Sequence, residues 1–258
     1  MSERFEFTAA RKITGLESSF RDMNTRESGY TMGDLIGSIL GFPELRGFWP
    51  MSSVNESGNV MDISGQARTL TNNNAAPRAV HNNLIPYVSF NGTTQYLSRA
   101  DEAGLDITGA LTIGGWVYYN AVAAGAMITK YNTTSSQRGY SLGTLASGVP
   151  QLTISSDGAA VTVVNSGSVS ITAATWCFFT GRFTPSSELA LFFGKEKYTN
   201  TTSIPAAIFN SSAALLLGGI NGRASLAGRA ALCFLCAAAL PDAQINYFFH
   251  MSRTLFGV

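Results

Sequence analysis

The side chains of this chain that could do chemistry are few and badly placed for it. A glycan-cleaving site needs two carboxylates held by strands so that both flank the scissile bond. Between Ile107 and Leu240 the acids are Asp157, Glu188 and Glu196, and no two of them are spaced as a pair on one strand. Asp101, Glu102 and Asp106 cluster in a stretch that reads as a loop, where the expectation is solvation. His81 and His250 lie far apart, and neither has a partner at metal-ligand spacing. Cys233 and Cys236 form a C-x-x-C, but on a strand residues three apart point to opposite faces and cannot grip one ion. Three cysteines in all, Cys177 included, indicate no disulfide framework. No nucleophile elbow or phosphate-binding loop is present, and the glycines of "GGINGRASLAG" precede a strand, not a helix. The expectation is no catalytic residue, no metal site and no enzyme.

Composition narrows the partners. The formal charge is +1, and 13% of the residues are charged, about half the usual share. This balance gives no electrostatic case for nucleic acid or an anionic membrane surface. The longest apolar run, Ala230 to Leu240, ends at Pro241, well short of the roughly 20 residues that span a bilayer. "MSERFEFTAARKITG" carries charges where a secretory leader would be apolar, so assembly in the cytoplasm is expected, with no membrane insertion.

The elements that would position a site divide near residue 46. Thirteen of the 33 charged residues fall in residues 1–46. There, Ile13, Leu16, Phe20 and Met23 form one short helical stripe. Met32, Leu35, Ile36, Ile39 and Leu40 form a second, opened by Thr31 with Asp34 three residues on and closed before Pro43. Gly33, Gly37 and Gly41 recur at every fourth position of the second stripe. Each costs roughly 1 kcal/mol relative to alanine in a helix, so something must pack there. The segment either lies on its own domain or serves as an arm on a neighbouring subunit. We take residues 1–46 as an assembly arm and residues 47–258 as the main domain.

From residue 47 the pattern is β throughout, in short alternating runs such as "YVSFNG", "LTIGGWVYY", "PQLTISSDG", "TWCFFTGRF" and "AALCFLCAAAL". Eleven or so strands without intervening helical periods predict an all-β fold, an antiparallel jelly-roll β-sandwich with a short, partly helical N-terminal extension. "PDAQINYFFHMSR" predicts one short helix near residue 241.

The order of these pieces resembles the laminin-G-like jelly roll of the concanavalin A-like lectin and glucanase superfamily. "GFWPMSSVNESGNVMDISGQARTLT" is similar to its opening strand and turn, "VSFNGTTQYLS" to its signature strand, and "LDITGALTIGGWVYYN" to the strand ending on a buried tryptophan, here Trp116. "TWCFFTGRF" and "LLLGGINGRASLAGRAALCFLCAAALPDAQI" follow in the family's order. The resemblance spans residues 47–258. Calcium-binding members place an aspartate after the signature phenylalanine. Asn91 stands there instead, and hard cations want several carboxylate oxygens. The departure argues against calcium, and no cofactor is expected. The E-x-D-x-E arrangement of the glucanase branch is also absent.

Such domains recur in phage and virion particles and as adhesins. The resemblance therefore implies a non-catalytic virion decoration, fibre or tail-appendage subunit, built as a homo-oligomer with other particle subunits through Ile13, Leu16, Phe20, Met23, Leu35, Ile36, Ile39 and Leu40. The alternative is a carbohydrate-binding adhesion module, because aromatic faces stack on sugar rings. Tyr96, Tyr118, Tyr131 and Tyr140 are its ligand-binding candidates, with binding expected at the loops of the sandwich rim. A glycan hydrolase ranks behind both.

Overall fold

Strands whose two faces are both apolar cannot lie on a solvated surface, and the centre of this fold is built from them. The computed structural model describes residues 32–219 and 225–258. Its larger sheet runs β13 (Glu196–Asn200), β12 (Glu188–Phe193), β11 (Trp176–Thr184), β6 (Leu111–Tyr119), β15 (Ala227–Cys236), β4 (Ile85–Asn91) and β3 (Arg78–His81). The eighth strand, β1 (Leu45–Trp49), pairs with the second half of β15. The smaller sheet runs β10 (Thr162–Asn165), β9 (Pro150–Ile154), β8 (Gln137–Thr144), β7 (Gly125–Asn132), β14 (Leu215–Leu217), β5 (Tyr96–Arg99) and β2 (Thr71–Asn73). All named pairings are antiparallel, and the expected two-sheet sandwich is the fold.

Two hydrophobic cores share the eight-stranded sheet. Between the sheets lie Val88, Phe90, Ile113, Val117, Phe179 and Leu235 among others. On the outer face, Trp116, Phe178, Ala231 and Phe234 meet two helices, α1 (Met32–Leu40) and α2 (Asp242–Phe256). α2 buries Ile245, Phe248, Phe249, Ser252, Leu255 and Phe256, spaced for one helical face. Pro241 precedes it, Asp242 sits in its first turn, and it stops where Gly257 turns left-handed (φ 75°) and donates its N–H to the Arg253 and Thr254 carbonyls. Arg182 ties its start to the sheet, pairing with Asp242 and with Glu188 (2.5 Å) and donating to the Leu240 carbonyl (2.8 Å).

β15 carries a bulge. Its register against β6 shifts between Ala231 and Phe234, and Leu232 takes φ 51°. Ala231 and Leu232 therefore both face the helices, after which alternation resumes with Cys233 inward and Cys236 outward. Gly115 faces the bulge, where a Cβ would lie 2.8 Å from the Leu232 carbonyl oxygen. The cysteines of the C-x-x-C thus enter different cores, both as buried free thiols.

The capping-box stretch is helical, as its pattern predicts. In α1, Leu35, Ile36 and Ile39 are buried in the outer core of their own chain, beside Phe42 and Phe248, while Leu40 is exposed. The residue 46/47 boundary falls inside β1, so the helix and the sheet form one body on the described side of that line. Gly37 lies exposed, and a Cβ there would meet nothing within 4 Å. The first stripe, Ile13, Leu16, Phe20 and Met23, lies outside the described residues.

Candidate functional site

The outer face of the eight-stranded sheet continues past the end of α2, and there its side chains change from aliphatic to aromatic and cationic. Register sets them side by side: Trp176 on β11 opposes Tyr118 on β6, and Tyr118 opposes Arg229 on β15, which opposes Ser89 on β4. Tyr87, two residues before Ser89, shares its face, because strand side chains alternate. The Arg229 guanidinium carbon lies 4.3 Å from the centre of the Tyr118 ring and 5.0 Å from that of Tyr87. Both distances are within cation–π range.

Trp176 is the hub. Its ring meets Tyr118 at 5.7 Å, Tyr87 at 5.9 Å, His81 at 5.7 Å and Phe256 at 4.9 Å, each edge to face. His81 also stacks on Phe256 at 6.2 Å. Partial burial lowers the His81 pKa, and the charge of Arg229 lowers it further against a hydrogen bond with the Phe256 backbone.

Two donors in this cluster lack acceptors. Trp176 is 4% exposed, and its Nε1–H has no hydrogen-bond partner among the described residues. Arg229 is half-buried and within cation–π range of the two tyrosines, and among the described residues no carboxylate lies against it. A buried donor without a partner costs about 1–3 kcal/mol. The Trp176 nitrogen is enclosed, so what this face offers a ligand is the half-buried Arg229 guanidinium and the two tyrosine rings beside it.

Of the tyrosines singled out in the sequence, Tyr118 joins this cluster. Tyr96 is half-buried on β5 of the other sheet, and Tyr131 on β7 is 5% exposed. Tyr140 is 1% exposed in the inter-sheet core and cannot offer a ring to a ligand there. Sequence reasoning missed Trp176, Arg229, Tyr87 and His81. In "TWCFFTGRF" both strand faces are apolar, so alternation does not say which aromatic points out. Arg229 had a signal, as a lone cation in an apolar strand.

The rim differs from expectation. Asp101, Glu102 and Asp106 are held by cations rather than merely solvated. Lys130, 2% exposed, reaches Asp101 Oδ1 at 2.5 Å and Asp106 Oδ1 at 3.3 Å and donates to the Ser211 carbonyl. Arg68 and Arg99 each donate to Glu102 at 2.6 Å. Against the cost of partial burial, these two guanidinium groups hold the Glu102 carboxyl below its usual range. Asn91 Oδ1 accepts the backbone N–H groups of Thr93, Thr94 and Gln95 at 2.9–3.1 Å, closing the β4–β5 turn. A rim cleft of about 240 Å³ lined by Arg46, Gly104, Asp106 and Thr108 has no aromatic in its wall. It is therefore a poorer sugar platform than the outer face. Among the described residues no three His, Cys, Asp or Glu side chains gather as metal ligands, and no helix is long and apolar enough to cross a membrane.

Comparison with solved structures gives the same architecture. The binding domain of Paraclostridial mosquitocidal protein 1 superposes with a TM-score of 0.61 at 11% identity, over 80% of this chain and 52% of that one. The binding domain of botulinum neurotoxin DC does so in a complex with SialylT (TM-score 0.60, 13% identity, 82% of this chain and 52% of that one). It does so again in a complex with rat synaptotagmin II (TM-score 0.58, 12% identity, 80% and 51%). The chain spans about half the length of these structures. No curated protein sequence matches it. A laminin-G-type family model described as the concanavalin A-like lectin/glucanases superfamily matches residues 91–245, more than half of the chain, and the protein belongs to that superfamily.

Proposed function

We propose that the protein is a non-catalytic binding module that recognises a glycan on the outer face of its eight-stranded sheet. The observation that carries this reading is the half-buried Arg229 guanidinium within cation–π range of the half-buried Tyr87 and Tyr118 rings on one sheet face. The structural neighbours support it in kind: they are binding domains, and one is in complex with a sialyl compound. Aromatic faces bind the apolar side of a sugar ring, and flanking polar groups set its orientation. The test is a glycan array probed with the full chain and with Tyr118→Ala. Loss of the wild-type signals in the variant, at unchanged melting temperature, supports the assignment. An array without signal for the wild type overturns it.

A second reading, display of this module by a homo-oligomer or a virion-type particle, is favoured by the outward side of α1. Gly33 and Gly37 are exposed there together with Leu40, a surface that a second backbone could approach closely. Because Leu35, Ile36 and Ile39 are spent inside their own chain, removing residues 1–46 would strip the outer core. The informative truncation starts at Met32. A fall from a defined oligomer to a monomer on truncation, read by light scattering, supports assembly through the preceding segment. An unchanged oligomer mass places the assembly on α1 instead, and a monomeric full chain overturns the reading.

A further inference from the structure

Four features of the outer-face cluster point to the charge of the ligand. First, the charged group of the cluster is a cation, the half-buried Arg229 guanidinium, against which no carboxylate lies among the described residues. Second, the positive charge is unneutralised locally. The chain's other well-buried cations are matched: Lys130 by Asp101 and Asp106, Arg68 by Glu102, Arg182 by Glu188 and Asp242. Arg229 has no such partner among the described residues, a lack it shares with half-buried Arg138. Third, its guanidinium lies against two tyrosine rings, 4.3 Å and 5.0 Å from their centres, and a cation–π contact leaves its N–H groups free to bond a ligand. Fourth, β15 holds the backbone of Arg229 between β6 and β4 on both sides, so the group sits on a rigid support and little order is lost on binding.

We propose that this face is specific for a carboxylate-bearing sugar, with Arg229 gripping the carboxylate and the Tyr87 and Tyr118 rings bordering the pyranose. The proposal rests on the glycan-binding reading above and adds the acidic group to it. A planar fork matches the two coplanar oxygens of a trigonal carboxylate in a bidentate pair, which a tetrahedral sulfate ester matches less well.

Titration calorimetry on the full chain tests it with three sets of oligosaccharides: sialylated or glucuronate-terminated, the same backbones without the acid, and the same backbones sulfated. The expected order is carboxylated first, by about tenfold or more over the neutral parent, as a charge-assisted bond requires, with the advantage shrinking as salt rises. Arg229→Lys, which keeps the charge and loses the fork, is expected to lose most of that advantage. A melting curve of the variant confirms that the fold is intact. Equal affinity for carboxylated and neutral sugars overturns the inference and leaves the glycan reading standing. A preference for sulfated over carboxylated backbones overturns the carboxylate assignment. Absence of binding to all three overturns the inference together with the reading beneath it.

Discussion

Trp116 Nε1 on β6 donates to Ser252 Oγ on α2 at 2.9 Å, and both residues are fully buried. The serine hydroxyl passes its own proton to the Phe248 carbonyl at 2.7 Å, so a polar chain crosses the outer core with every member satisfied. Ser252→Ala leaves the indole N–H without an acceptor. The expected cost is about 1–3 kcal/mol, read as a lower denaturation midpoint with unchanged slope. A midpoint equal to wild type would mean that water replaces the hydroxyl.

Lys130→Met should destabilise more broadly at the rim. It removes the ammonium from between Asp101 and Asp106 and leaves the Ser211 carbonyl without its donor. Burial argues for a large loss, but the two aspartates are a quarter to a third exposed, so screening by solvent reduces it to an order of 2 kcal/mol. Thermal melting checks the figure. A stability equal to wild type would show that the pair gives back in desolvation all that it gains in attraction.

Gly37→Ala separates the two uses of α1. A methyl group there meets nothing within 4 Å in the single chain, so alanine should stabilise by about 0.5–1 kcal/mol through helix propensity alone. If a second backbone docks on the glycine side, the same change would lower the oligomer mass instead. Calorimetry and light scattering on one sample read both.

The pH dependence follows from Asp242. Despite the cost of partial burial, hydrogen bonds from Lys197 and Arg182 hold its pKa below the ordinary value. A carboxyl depressed on folding contributes stability that is complete above its unfolded pKa and is lost as pH falls through the folded one. Acid should therefore loosen the start of α2, and Asp242→Asn should flatten the acid limb of the stability curve while lowering stability at neutral pH. Parallel acid limbs in wild type and variant would place the titration elsewhere.

The thiols should be silent in the native state. Burial pushes Cys177 up to about 11 and Cys233 and Cys236 higher still, and reaction requires the thiolate. At pH 8 an aromatic disulfide reagent should label none of the three until denaturant is added. Rapid native labelling of one cysteine would locate an opening of its core.

The sandwich was legible because alternation, glycine turns and the absence of helical periods agree along the chain from Tyr87 onward. The second core was less so. "TWCFFTGRF" and "AALCFLC" are apolar at successive positions, and a period of two cannot say that Phe178 and Phe234 face helices while Phe179 and Leu235 face the other sheet. The bulge at Leu232 hides the phase further, since it places two neighbours on one side. The binding face was legible only at Tyr118. Its companions come from strands far apart in sequence, and only the β4–β15–β6–β11 register makes them neighbours. The rim acids were misread for a related reason: Lys130 and Arg68, which neutralise them, are not local in sequence.

β1 has one pairing partner in the sheet, and that partner is the far end of β15: Leu45 lies opposite Cys236, and Trp49 opposite Cys233. On the ribosome, a chain made from its N-terminus exposes this apolar strand, with the α1 residues that pack behind it, throughout the synthesis of nearly all the rest of the domain. Neither core can close before β15 emerges. Contacts so far apart in sequence form slowly, so this apolar strand stays exposed until its partner has been made.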